Sequence, residues 1–286
     1  MLAKTKSAGL RMNPHAAPSI SPLQIVSSIT SNKSLLYGLI KREIISRYRG
    51  SMLGLLWSFF NPVLMLAIYT FVFSLVFQAR WVGGSGSKAE FAMVLFSGLM
   101  AFNLFAENIN RSPSLILGNV NYVKKVVFPL EILPVVVLGS AGFHFLVSLL
   151  VWLIFHLVFF GLPPVTVLWL PVAVLPIVLL SLGFSWFLAS LGVFLRDIGQ
   201  IVGVLTMALM YMTPIFYPVS ILPVEYQSWM SLNPLTNSIE QVRNVMMWGR
   251  GLDWSSWMLE MMLGLVIAWL GFTWFQKTRK GFADVV

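Results

Sequence analysis

The chain has 286 residues, of which 58% are hydrophobic and 10% charged, and its formal net charge is +9. A soluble domain carries about 25% charged residues, so this composition excludes an ordinary water-soluble fold. The basic surplus flanks apolar stretches rather than marking a nucleic-acid face, and the absence of cysteine excludes disulfides and thiolate metal sites.

In chain order, residues 1–32 are polar, carry Pro14, Pro18 and Pro22, and lack the apolar core of a signal peptide. They are expected to form a flexible cytoplasmic tail. In Ser34–Gly50, Leu36, Ile40, Ile44 and Tyr48 recur every fourth residue, while Lys41, Arg42, Glu43, Arg47 and Arg49 fill the other face. The pattern predicts a basic amphipathic helix at the cytoplasmic interface. It reads as a lipid-surface anchor, as a docking surface for a cytoplasmic partner, or as a place where the Arg47 and Arg49 forks attract a pyrophosphate.

A crossing helix needs about 20 apolar residues. Six segments qualify, at about Leu55–Phe77, Phe91–Ile109, Ile132–Phe160, Leu168–Leu195, Ile198–Tyr217 and Trp257–Gln276. The second is weakest, because Asn103, Glu107 and Asn108 sit near its end. No Asp, Glu, Lys or Arg occurs from Ile132 to Leu195. Unpaired backbone groups are costly in hydrocarbon, so that run reads as two helices joined at Gly161-Leu162-Pro163-Pro164.

The loop Asn110–Glu131 is longer than a turn requires. Ser112-Pro113 reads as a helix start and Ser114–Val127 as a short helix. The loop is either loose, with Lys124 and Lys125 as topology markers, or a coupling element. Tyr217–Trp254 is rich in apolar residues and broken at Asn233-Pro234. It reads as two short amphipathic helices, resting on the outer surface or dipping in as a re-entrant hairpin. Six crossings put both termini on one side. Fifteen Lys and Arg residues fall on that side against four on the other, which makes it cytoplasmic.

The sequence has no Gly-x-x-x-x-Gly-Lys-Ser/Thr loop for cradling phosphates. His15, His144 and His156 are scattered and suggest no metal site. Glu107 and Glu131 are expected near cytoplasmic ends, within reach of water. No acid or base is expected deep in an apolar span, as ion-coupled transport requires, so energy is expected from outside the chain. Candidates to line a path are Tyr69, Phe73 and Phe77, and Met207, Met210, Tyr211, Pro214, Phe216 and Tyr217. Aromatic faces suit the C–H face of a sugar, although helix packing or an interfacial belt accounts equally for any single ring. Six helices enclose little space, so a symmetric dimer is expected.

The stretches RYRGSMLGLLWSFFNPVLMLAIYTFVFSLVF (47–77), NVNYVKKVVFPLEILP (119–134) and TPIFYPVSILPVEYQSWMSLNPLTNSIEQVR (213–243) resemble the membrane subunits of ABC-2-type polysaccharide exporters. That family includes O-antigen, capsule and teichoic acid permeases, and the resemblance covers almost everything after about residue 30. It implies an all-α polytopic permease of the bacterial inner membrane, not an enzyme, pairing as a homodimer with two ABC ATPase subunits. ATP and Mg would be bound by that partner, with no cofactor in this chain. The substrate implied is an undecaprenyl-linked polysaccharide, with O-antigen the nearest branch.

The resemblance also assigns roles. Lys41, Arg42 and Glu43 of the interface helix, and Asn119, Tyr122, Lys124 and Lys125 of a coupling helix, would dock on the ATPase. Arg47, Tyr48, Arg49, Gly50 and Ser51 would form a gate loop beside the lipid pyrophosphate. Spans 1 and 5 would line the channel, and residues 218–250, with Pro218, Trp229, Asn233, Pro234 and Arg243, would form re-entrant outer gate helices. Rival readings are an exporter of drugs or small lipids, a polyprenyl-using transferase, for which the sequence offers no interfacial cluster of carboxylate, His or Arg, and a structural scaffold.

Overall fold

The computed structural model describes residues 21–76, 81, 87–124 and 128–286. Its helices are α1 (Pro22–Ser31), α2 (Lys33–Tyr48), α3 (Trp57–Tyr69), α4 (Lys88–Arg111), α5 (Val120–Val123), α6 (Leu133–Phe160), α7 (Leu170–Ala173), α8 (Leu175–Phe194), α9 (Ile198–Met212), α10 (Val224–Ser231), α11 (Pro234–Met246), α12 (Trp254–Thr278) and α13 (Phe282–Val285). No strand occurs among the described residues, and the expected all-α class holds.

Five stretches are long and apolar enough to cross a membrane: Gly54–Phe73, Ala89–Ser114, Leu130–Phe160, Val165–Phe194 and Trp254–Val285. The segment expected to be the fifth of six is shorter. α9 has 15 residues, about 22 Å at 1.5 Å per residue, against a hydrocarbon core of about 30 Å. Its end follows from Thr213-Pro214. A residue before proline is pushed out of the helical region, and Thr213 is extended, with ψ 140°.

α4 lies at the centre, almost wholly covered by protein. Around it, α8 and α12 approach each other on a seam of small residues. A Cβ at Gly271 would sit 2.0 Å from the Gly183 carbonyl oxygen, so the two backbones touch where a side chain has no room. α3 is the opposite case, apolar along its length yet almost uncovered.

Two local expectations are revised. The stretch read as a tail is helical from Pro22, which occupies the first turn after an extended Ser21. Ser28 anchors this helix by donating to Glu131, at 2.9 Å. The coupling loop is not one helix over Ser114–Val127. It forms 3-10 turns at Ser112–Ser114 and Leu117–Asn119 and then the single turn of α5. Asn119, with φ −125° and ψ 35°, leaves the helical region after Gly118. Lys125 and Phe77 lie outside the described residues. The expected break at Asn233-Pro234 is present, with the Asn233 side chain capping α11 by accepting from the Leu235 N–H at 3.0 Å.

Gly271→Ala is expected to destabilise the protein by about 1–3 kcal/mol, the range for overpacking a tight seam. Thermal unfolding of the purified protein in detergent checks this, and an unchanged midpoint would mean that the α8–α12 contact yields.

Candidate functional site

At one end of the bundle, α2 lies along α6. Leu39 packs with Ile132 and Val136, and Leu36 and Ile40 flank them. The periodic stripe read from the sequence is therefore turned toward protein, while Leu35 and Tyr37 face outward. One turn further on, the contact becomes polar. Arg47 forms an ion pair with Glu107 of α4, and Arg111 forms one with Glu43. His144 of α6 holds the centre, its Nδ1 3.0 and 2.9 Å from the two Glu107 oxygens and its Nε2 2.9 Å from the Tyr48 hydroxyl. With the proton on Nδ1, His144 donates to the Glu107 carboxylate and its Nε2 accepts from the Tyr48 hydroxyl. Burial pushes the Tyr48 phenol up, which keeps that donor protonated.

This network changes the sequence reading of the gate loop. Arg47 and Tyr48 are engaged with α4 and α6, while Arg49, Gly50 and Ser51 stay exposed on the turn that follows. The sequence reading gave Glu107, Arg111 and His144 no place in such a network, because no spacing reveals a meeting of three separate helices. Glu131 is also corrected. It is buried, because Ser28 and Arg279, the latter at 2.8 Å, enclose it.

The residues expected at a partner interface form one surface. Arg42 donates to the Tyr122 hydroxyl at 2.7 Å, and Tyr122 stacks on Phe128 with centroids 4.2 Å apart. Lys41 and Lys124 are exposed beside them and Asn119 is half-buried. α2 and α5 thus present a joined face.

Toward the other end, rings from two distant segments meet. Phe73 stacks on Phe216 at 5.7 Å, Tyr211 stacks on Phe216 at 5.6 Å, and Tyr69 lies 6.4 Å from Phe73. Tyr217 donates to the Tyr211 carbonyl at 3.1 Å. Met210 is partly buried against the hydrophobic core, whereas Met207 and Tyr211 are 64% and 60% exposed. Tyr69 and Phe73 of the expected track thus meet Tyr211 and Phe216, and Tyr211 and Met207 leave one side of the group open.

What holds Phe216 in place is Arg243, which is 0% exposed. Its Nη1 donates to the Pro214 carbonyl and to Glu240, both at 2.7 Å, and its Nη2 to the Ile215 carbonyl at 2.7 Å. Its Cζ lies 4.5 Å from the centre of the Trp81 ring. A Cβ at Gly98 would sit 2.7 Å from Nη2, so only glycine leaves room there. Asn233 adds a bond to the Thr213 hydroxyl at 3.0 Å. Pro218 is buried and Trp229 exposed. Glu260 lies near the start of the last span rather than deep within it, and the sequence reading gave it no role. It is 3% exposed, and its Oε2 accepts from Ser238 at 2.6 Å. The one signal in the sequence is Glu260 itself, one turn inside an apolar run.

Residues 34–247, from the start of α2 to the end of α11, match the family described as the ABC-2 type transporter. The chain belongs to that family. It is also 28% identical over 253 residues to an O-antigen export system permease protein of Klebsiella pneumoniae, covering 88% of this chain and 95% of the relative. A protein of the same description from Myxococcus xanthus is 27% identical over 266 residues, covering 92% of this chain and all of the relative. The ABC-2 region contains the polar network, the ring cluster and the Arg243 clamp. The protein is a multi-pass membrane subunit of transport machinery rather than a catalyst.

Two outcomes are expected. Arg47→Glu should weaken transport, and Arg47→Lys should keep most of it, because the ion pair with Glu107 acts by holding α2 to α4. Loss of transport in Arg47→Lys would give Arg47 a task beyond its charge. Arg243→Ala leaves buried carbonyls without donors, at about 1–3 kcal/mol each. Its folded yield and unfolding midpoint should fall sharply, and Arg243→Lys should recover only part of the loss because an ammonium lacks the planar fork.

Proposed function

We propose that two copies of this chain form the membrane channel of an ATP-driven exporter that moves an undecaprenyl-linked polysaccharide, of the O-antigen kind, from cytoplasm to periplasm. The observation that carries this reading is the ring cluster of Tyr69, Phe73, Tyr211 and Phe216, which is half-buried where the continuation of α3 meets the end of α9, with Tyr211 exposed and most of α3 uncovered beside it. A second copy brought against that open side would enclose a path lined by rings and hydroxyls, which suits sugar and carries no fixed charge to retain it. The relatives, O-antigen export system permeases, point to the same cargo.

In this reading α9 and the extended stretch after it make the sixth crossing. Both termini are cytoplasmic in the inner membrane, and α10 and α11 dip in as re-entrant gate helices. ATP and Mg are bound by a separate ABC ATPase, present twice, which docks on the joined face of α2 and α5. Closure of the partner would press on α2. The Arg47–Glu107 and Tyr48–His144 contacts would pass that displacement to α4 and α6 and bias a two-state bundle.

Deleting the coding sequence and complementing it, followed by fractionation of lipid-linked glycan, tests the reading. Glycan should accumulate on the cytoplasmic side and disappear from the surface. Normal surface glycan would instead favour a drug or small-lipid exporter. Replacing Tyr69 and Tyr211 by leucine should reduce export while the dimer persists on native electrophoresis, and undiminished export would remove the aromatic path.

A further inference from the structure

Behind the Arg243 clamp lies a cavity of about 300 Å³, bounded by the Pro218–Ser220 turn, α11 and Trp81. This is at the lower end of the range for small-molecule sites, about 300–1,000 Å³. Two indoles, Trp81 and Trp248, line it together with Ser220, Glu240, Asn244 and Arg250. Trp248 and Asn244 are half-buried and Arg250 is exposed, so the cavity opens to solvent. Glu240 uses one carboxylate oxygen to hold Arg243, at 2.7 Å. Among the described residues no hydrogen bond engages its second oxygen, nor the side chains of Ser220, Asn244 or Arg250.

We propose that this cavity is a saccharide subsite that takes one pyranose unit of the exported glycan. The chemistry of the lining selects that class. The Trp248 indole packs on the C–H face of a sugar ring, and Trp81, whose face holds Arg243, closes the back of the cavity. Carboxylate and amide oxygens accept from ring hydroxyls, and the Asn244 amide and Arg250 guanidinium donate to them. A lipid chain would leave these polar groups unpaired. A bare phosphate would meet the Glu240 carboxylate as well as Arg250. The subsite rests on the export reading and adds a position to it. Glu240 joins the cavity to Arg243, and Arg243 holds the Pro214 and Ile215 carbonyls immediately before Phe216. A sugar bound here is therefore two side chains away from the ring cluster.

The test uses the full chain in lipid nanodiscs. The probe is the producing strain's own surface polysaccharide, freed from lipid by mild acid, and binding is read by tryptophan fluorescence. The wild type should bind. Trp248→Ala should weaken binding about tenfold or more, and Asn244→Ala and Arg250→Ala about three- to tenfold, as for the loss of one or two hydrogen bonds. Asn244 and Arg250 lie at the open rim, so their variants should keep the wild-type unfolding midpoint, which separates lost binding from misfolding. No binding by the wild type, or wild-type affinity in all three variants, overturns the subsite. If the deletion strain has meanwhile lost its surface glycan, the export reading stands without it. Normal surface glycan in that strain overturns the export reading and the subsite with it.

Discussion

A backbone carbonyl that leaves a helix inside an apolar bundle must find a donor, and here the donor is the Arg243 guanidinium. Pro214 ends α9 before it is long enough to cross, which frees the carbonyls of Pro214 and Ile215. The Arg243 fork donates to both. Its charge is answered by Glu240 and by the face of Trp81, and Gly98 leaves the space for it. The position of Phe216, and through it the stack with Phe73 and Tyr211, follows from that one side chain.

The opposite end is built differently. Arg47 is nearly half exposed, and an exposed ion pair contributes about 0–1 kcal/mol. Glu43, Glu107, Arg111, His144 and Tyr48 therefore hold α2 through several weak contacts spread over three helices. Such contacts are exchangeable. The clamp at Arg243 is not, because breaking it strands a charge and two carbonyls away from water. The bundle thus has a fixed region beside the rings and a movable one where α2 and α5 form a shared surface.

Much of this was legible in the sequence because it is local. Apolar length located the long helices, the four-residue stripe of α2 predicted its packed face, and Asn233-Pro234 predicted the bend before α11. Tyr69 and Phe73 share a helical face by spacing alone. What was hidden depends on meetings between distant segments. His144 acquires a role only when α2, α4 and α6 converge, and Glu131 becomes buried only because α1 and Arg279 close over it. The helix at Pro22–Ser31 was missed for the same reason, since its anchor lies a hundred residues away. α9 was read as too long because hydropathy continues through Thr213–Tyr217 while the helix does not.

The Arg243 clamp also bears on how the chain is made. Its guanidinium reaches Val94, 149 positions earlier, and the carbonyls it serves precede it by 29 and 28 positions. A lone arginine partitions poorly into hydrocarbon, by about 2.5–3.5 kcal/mol at a helix centre. The clamp can therefore close only once α4 and the stretch after α9 lie side by side, so α11 docks after both in the assembly of the fold.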